Sequence, residues 1–86
     1  MSHNSLILKV LTPDGTAFDG PVDAVFLPGT LGQFEVLPAH APIISSLGPG
    51  SIEWRCGDKL ESLPVRDGAV IVENDTVTVC AQVSGK

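Results

Sequence analysis

The sequence predicts an all-β domain, a two-layer antiparallel β-sandwich or flattened barrel of about eight to ten short strands, and three observations carry that prediction. Turn signals recur every six to twelve residues, at Pro13-Asp14-Gly15, Gly20-Pro21, Pro28-Gly29, Pro38, Gly48-Pro49-Gly50, Gly57-Asp58, Asp67-Gly68 and Asn74-Asp75. The segments between them are rich in Val, Ile, Leu and Thr, and no apolar 3.6-residue period persists for the length of a helix. Eight or more short strands laid in one flat sheet would leave a whole apolar face wet, so two packed layers are expected.

The first strand spans 6–11, turns at Pro13-Asp14-Gly15 and continues through 16–18, with a further strand over 22–27. The clearest strand is 51–56, where Ile52, Trp54 and Cys56 alternate with Ser51, Glu53 and Arg55. Gly57-Asp58 then places glycine at the first central position of a two-residue type II′ turn, so 59–65 should return antiparallel with Pro64 on an edge or at a bulge. A last hairpin joins 69–73 to 76–81 through Asn74-Asp75. Residues 6–83 form the sandwich, 1–5 a flexible start and 84–86 a short tail. Trp54 is expected in the core with its indole nitrogen on a carbonyl, or as an anchor at an interface edge.

Composition narrows the function. The 86 residues make one small domain, which buries only about 60–65% of the surface its unfolded chain exposes. Ten carboxylates against five Lys and Arg give a net charge of −5, which repels phosphate backbones, so nucleic acid is not an expected partner. Mean hydropathy is +0.28, yet no apolar run reaches the roughly 20 residues of a membrane helix, and the start lacks a secretory signal. Cys56 and Cys80 lie in alternating patterns and read as two reduced, buried thiols; their spacing with His3 and His40 fits no zinc pattern. No nucleophile has an adjoining base, which favours recognition over catalysis.

Residues 27–42 concentrate three prolines, two glycines and one imidazole, a segment shaped by fixed or left-handed φ. Four apolar runs, at Leu6-Ile7-Leu8, Val25-Phe26-Leu27, Ile43-Ile44 and Val70-Ile71-Val72, do not alternate as a sheet with one wet face should. A partner covering an outer face would account for them, as would internal burial at edges and corners.

Nearly the whole chain resembles the N-terminal β-sandwich domain of the epsilon subunit of the F-type ATP synthase. The opening Leu8-Lys9-Val10-Leu11-Thr12-Pro13-Asp14-Gly15 with Phe18-Asp19-Gly20 is similar to the family's first hairpin, and the series Pro28-Gly29, Gly32, Leu37-Pro38 and His40-Ala41-Pro42, followed by Leu47-Gly48-Pro49-Gly50, to its core signature. Gly68-Ala69-Val70-Ile71-Val72 and Asn74-Asp75-Thr76-Val77-Thr78-Val79 resemble its last hairpin. Where the family usually has a further glycine, this chain has Phe34 followed by Glu35. The α-helical hairpin that commonly follows the sandwich, acting as a conformational inhibitor and in some members binding ATP, is not in the sequence; the chain resembles a short form of the family, and if the 86 residues are the whole protein that regulation does not carry over and nucleotide binding is not predicted.

The resemblance implies a non-catalytic rotor subunit of the central stalk, without cofactor, metal or catalytic residues. Its partners would be the gamma subunit and the c-ring, and its place the cytoplasmic face of the bacterial inner membrane or the organellar equivalent. Thr30, Leu31 and Gln33 would face the c-ring. His40, Ile43 and Ser45 would face gamma, with His40 alternatively fixing its own turn and Ile43 alternatively packing in the core. Pro28, Gly29, Gly32, Pro38 and Pro42 would set the shape. A free-standing β-sandwich binding module, exported with a Cys56–Cys80 bridge, is the competing expectation.

Overall fold

A computed structural model describes residues 5–84, so Met1 to Asn4 of the expected flexible start and Gly85 and Lys86 of the expected tail lie outside the described residues. Eight strands follow one another: β1 (Leu6–Thr12), β2 (Gly15–Val22), β3 (Ala24–Gly29), β4 (Gly32–Val36), β5 (Ile43–Leu47), β6 (Gly50–Cys56), β7 (Lys59–Glu73) and β8 (Thr76–Val83). No helix occurs among the described residues.

The sheet path runs β2-β1-β8-β7-β5-β3-β4, and β6 joins it by pairing with both β3 and β7. The 15-residue strand β7 makes this arrangement possible. Its first part pairs with β6 from Cys56↔Lys59 to Gly50↔Val65, and its second part pairs with β5 and β8 between Gly68 and Val72. One layer therefore holds β2, β1, β8, β5 and the end of β7; the other holds β4, β3, β6 and the beginning of β7.

Two expected turns are strand instead. Gly20-Pro21 lies inside β2, and Asp67-Gly68 lies inside β7, where the register against β8 shifts between Val65 and Asp67. That bulge bends β7 from one layer into the other, and Pro64 sits just before it, as a residue without an N–H requires. Gly68 is needed at the bend because an added Cβ would sit 2.8 Å from the Cα of Ala81. The expectation of purely antiparallel pairing also fails at one place: β1 and β8 run parallel, Leu8 against Val77 and Val10 against Val79. Parallel neighbours need a long connection, and here nearly the whole chain between them provides it.

Alternation puts Leu6, Leu8 and Val10 of β1, Val70 and Val72 of β7, and Val77, Val79 and Ala81 of β8 on the inner face of the first layer. Val25, Leu27, Val36, Ile52, Trp54 and Val65 complete the same core from the second layer. Each of these aliphatic side chains contributes on the order of 1.5–3 kcal/mol on burial. Phe18 of β2 packs on Trp54 of β6 with ring centroids 4.9 Å apart and planes at 41°, joining the layers. Trp54 is 5% exposed, but its Nε1 has no hydrogen-bond partner, contrary to the expected carbonyl.

Both cysteines are free thiols. Cys56 is half-buried, its Sγ 3.4 Å from the carbonyl oxygen of Pro21, whereas Cys80 is exposed and corrects the expectation of two buried thiols. The cause is parity. With Val77, Val79 and Ala81 turned inward, residue 80 must point out.

Candidate functional site

The β3–β4 tip closes at the Gly29↔Gly32 pair, leaving Thr30 and Leu31 as a two-residue turn. Gly29 is there because an added Cβ would meet the Gly32 carbonyl oxygen at 2.7 Å and the Phe34 ring at 2.9 Å. The tip is tied to the end of β5: Thr30 N–H donates to Ser46 O at 3.2 Å, the Thr30 and Ser46 hydroxyls are 2.9 Å apart, and Gly48 N–H donates to Pro28 O at 2.8 Å. Leu31 projects with 103% relative exposure, and Gln33, paired with Pro28, is exposed beside it. Phe34 packs against the core and Glu35 faces outward opposite Phe26, so β4 runs as regular strand through these two residues.

The β4–β5 corner lies at the opposite end of β5. His40 N–H donates to Leu37 O at 3.1 Å across a turn with Pro38 first and Ala39 second, and Ala39 has φ 69°. These features define a type II turn, in which the second central position favours glycine or asparagine. A non-glycine residue there costs about 1–2 kcal/mol. Asp75 Oδ1 accepts the Ala39 N–H at 2.7 Å and opposes that cost. Asp75 belongs to the β7–β8 turn, where Asn74 (φ 52°) and Asp75 (φ 59°) have the paired left-handed conformation of a type I′ hairpin. The half-buried His40 ring donates from Nδ1 to the Ala41 carbonyl at 2.6 Å, which fixes its tautomer.

Beyond the corner, β5 turns Ile43, Ser45 and Leu47 inward and Ile44 and Ser46 outward. Ile43 packs against the core and Ser45 is half-buried, its hydroxyl donating to Ser46 O at 3.1 Å. Ile44, between them, is 80% exposed and pairs across the sheet with Ile71, itself 46% exposed. The outward face continues through Ala69, Cys80 and Leu11 along the pairs Ala69↔Cys80 and Leu11↔Cys80. Pro42, Ile43, Ile44, Ile71, Val72 and Glu73 border a shallow groove there. Residue-by-residue reading of the sequence missed Ile44 and Ile71 as site residues, although their non-alternating runs already marked them.

The structure thus brings Thr30, Leu31 and Gln33 together at one tip, tied to Ser46 near the end of β5, and places the His40 turn before the other end of β5, with the Ile44–Ile71 pair on the outward face of the strand. Pro28 and Gly29 end β3, Gly32 begins β4, and Pro38 and Pro42 bracket the corner. Among the described residues no group of three His, Cys, Asp or Glu could hold a metal ion, and no helix is long and apolar enough to cross a membrane.

A small two-layer β-sandwich, without helix among the described residues and with exposed Leu31, Ile44 and Ile71, is the class of domain that the fold defines. The model of one family, the ATP synthase Delta/Epsilon chain β-sandwich domain, matches residues 5–84, and the chain belongs to that family. It is 38% identical over 79 residues to the ATP synthase epsilon chain of Leptospira interrogans, covering 92% of this chain and 62% of the relative. To the epsilon chain of Synechococcus elongatus it is 41% identical over 75 residues, covering 87% and 55%. The chain thus spans 55–62% of the length of these relatives. Its fold is similar to a chain in the Euglena gracilis mitochondrial ATP synthase, in a structure of OSCP, F1 and c-ring, with TM-score 0.86 at 23% identity over 94% of this chain and 52% of that one. A chain in the central stalk and c-ring structure of the Tetrahymena thermophila enzyme gives TM-score 0.76 at 16% identity, covering 95% and 66%.

Proposed function

We propose that this domain is a non-catalytic part of the rotor of an F-type ATP synthase, clamped between the gamma subunit and the c-ring so that ion-driven rotation reaches the catalytic head without slip. The exposed Ile44–Ile71 pair carries this reading: two β-branched side chains meet on the outer face of a sheet whose inner face is already filled. Such a face gains about 25 cal/mol per Å² when a partner covers it, before the cost of association. We assign it, with the His40 corner, to gamma, and assign Thr30, Leu31 and Gln33 to the polar loops of the c-ring.

The mechanical duty suits the architecture. Torque passes between two contact regions at opposite ends of β5, and a closely packed two-layer sheet transmits displacement with little compression. Thr30 is bonded to Ser46, so a load on the tip passes directly into β5. The domain itself makes and breaks no bond. In a bacterium it would lie on the cytoplasmic face of the inner membrane, held there through the complex.

Co-expression with the gamma subunit of the same synthase should give a complex that survives size-exclusion chromatography at micromolar concentration. A monomeric elution of both proteins would overturn the assignment. The relatives' names and the fold of the central-stalk structures support the same reading.

A further inference from the structure

The corner that carries His40 is hydrogen-bonded to a residue 36 positions away in sequence. Type I and type II turns differ by a flip of the central peptide, here the one linking Pro38 to Ala39, and a Pro-Ala pair satisfies type I without a left-handed residue. The chain nevertheless adopts type II, with Ala39 at φ 69°. The N–H of Ala39 belongs to the peptide that flips, and it points at Asp75 Oδ1, 2.7 Å away. In the type I orientation that N–H would turn away from the carboxylate.

Asp75 is well placed to make the selection. Its own backbone is fixed by the type I′ turn between Glu73 and Thr76, and its carbonyl oxygen accepts the Ile7 N–H at 2.9 Å. The carboxylate is thus presented from a hairpin anchored on β1, and an ionised acceptor gives a strong hydrogen bond. We propose that Asp75 is the positioning residue of this corner: it selects the type II orientation of the Pro38–Ala39 peptide and so sets the direction in which the chain presents His40 and enters β5. This rests on the assignment of the corner to the gamma-facing surface.

The test uses three forms of the chain. Asp75→Gly removes the carboxylate and leaves an Asn-Gly pair, the most favoured type I′ sequence, so the hairpin is preserved. Asp75→Asn keeps an acceptor oxygen and tolerates the left-handed backbone. Asp75→Gly combined with Ala39→Gly supplies a residue that prefers the type II turn unaided. The reporter is the nuclear Overhauser effect between Pro38 Hα and the Ala39 (or substituted) amide proton, strong in type II and weak in type I because the flip carries the proton away.

The effect should be strong in the unsubstituted chain and in Asp75→Asn, fall at least about threefold in Asp75→Gly, and return in the double variant. Affinity for gamma should follow, with about a tenfold loss in Asp75→Gly recovered in the double variant. A strong effect in Asp75→Gly, or no recovery on adding Ala39→Gly, would overturn the selection. Changes in the turn with unaltered gamma affinity would overturn the positioning role. If the unsubstituted chain does not bind gamma, the rotor assignment fails, while the turn measurement still decides what Asp75 does.

Discussion

The tip at Thr30 and Leu31 and the corner at Ala39 and His40 stand at opposite ends of β5, and they hold their shapes by different means. At the tip the necessary residues are neighbours in sequence: Gly29 permits the close approach of Gly32 O and the Phe34 ring, and the β3–β4 pairing does the rest. At the corner the local sequence favours one turn and a remote carboxylate imposes another. The tip is thus a local structure with two tertiary ties to Ser46, while the corner is tied to a carboxylate of the β7–β8 hairpin.

Substitutions can break or sharpen that contrast. Gly29→Val should have the largest effect, a loss of about 2–3 kcal/mol in urea unfolding, because its Cβ has no room between backbone and ring. A loss below about 0.5 kcal/mol would show that the tip is not fixed by close packing. Ile44→Asp should cost no more than about 1 kcal/mol in unfolding, from the lost cross-strand contact with Ile71 and the poorer strand preference of Asp, yet weaken gamma binding by about tenfold to a hundredfold in calorimetry. Unchanged affinity would remove Ile44 from the interface.

Leu31→Ser should likewise spare stability, because the side chain touches nothing in the domain, and reduce retention of gamma-bound complex on the isolated c-ring by up to about tenfold. Full retention would leave the tip a solvated loop. Smallest of all should be Ala39→Gly alone. Relief of the left-handed strain and the added freedom of the unfolded chain, each about 1 kcal/mol, oppose one another, so the melting midpoint should barely move. A destabilisation above about 1 kcal/mol would mean that Ala39 is not strained where it stands.

Much of the fold was legible because a strand announces itself by period two. Ile52 and Trp54 are buried between half-buried Ser51, Glu53 and Arg55, with the alternation the sequence indicates, and Gly57, with φ 61° between the paired Cys56 and Lys59, takes the left-handed first position of the expected II′ turn. The single strand β7 was not legible. Asp67-Gly68 carries the same composition whether it reverses the chain or only bends it, and the difference lies in Ala81 packing over Gly68. The parallel β1–β8 pair was hidden for a similar reason, since alternation says which face a residue takes and nothing about the direction of its neighbour.

The site divides in the same way. The doublets Ile43-Ile44 and Val70-Ile71-Val72 announced that an apolar residue must face outward, but which one depended on strand parity. The structure gives Ile43 to the core and Ile44 to the surface. Nothing near Asn74-Asp75 in the sequence pointed to Ala39.

By itself the sequence determined the all-β class, the inner face of the clearly alternating strands such as β6 and β8, and the glycine-bounded tip, since these follow from side-chain period and steric exclusion between near neighbours. Only the tertiary structure decided that β7 serves both layers, that β1 lies parallel to β8, and that a carboxylate from the last hairpin turns the Pro38–Ala39 peptide. Those outcomes depend on groups distant in the chain meeting in space, where a contact of a few ångströms outweighs a weak local preference.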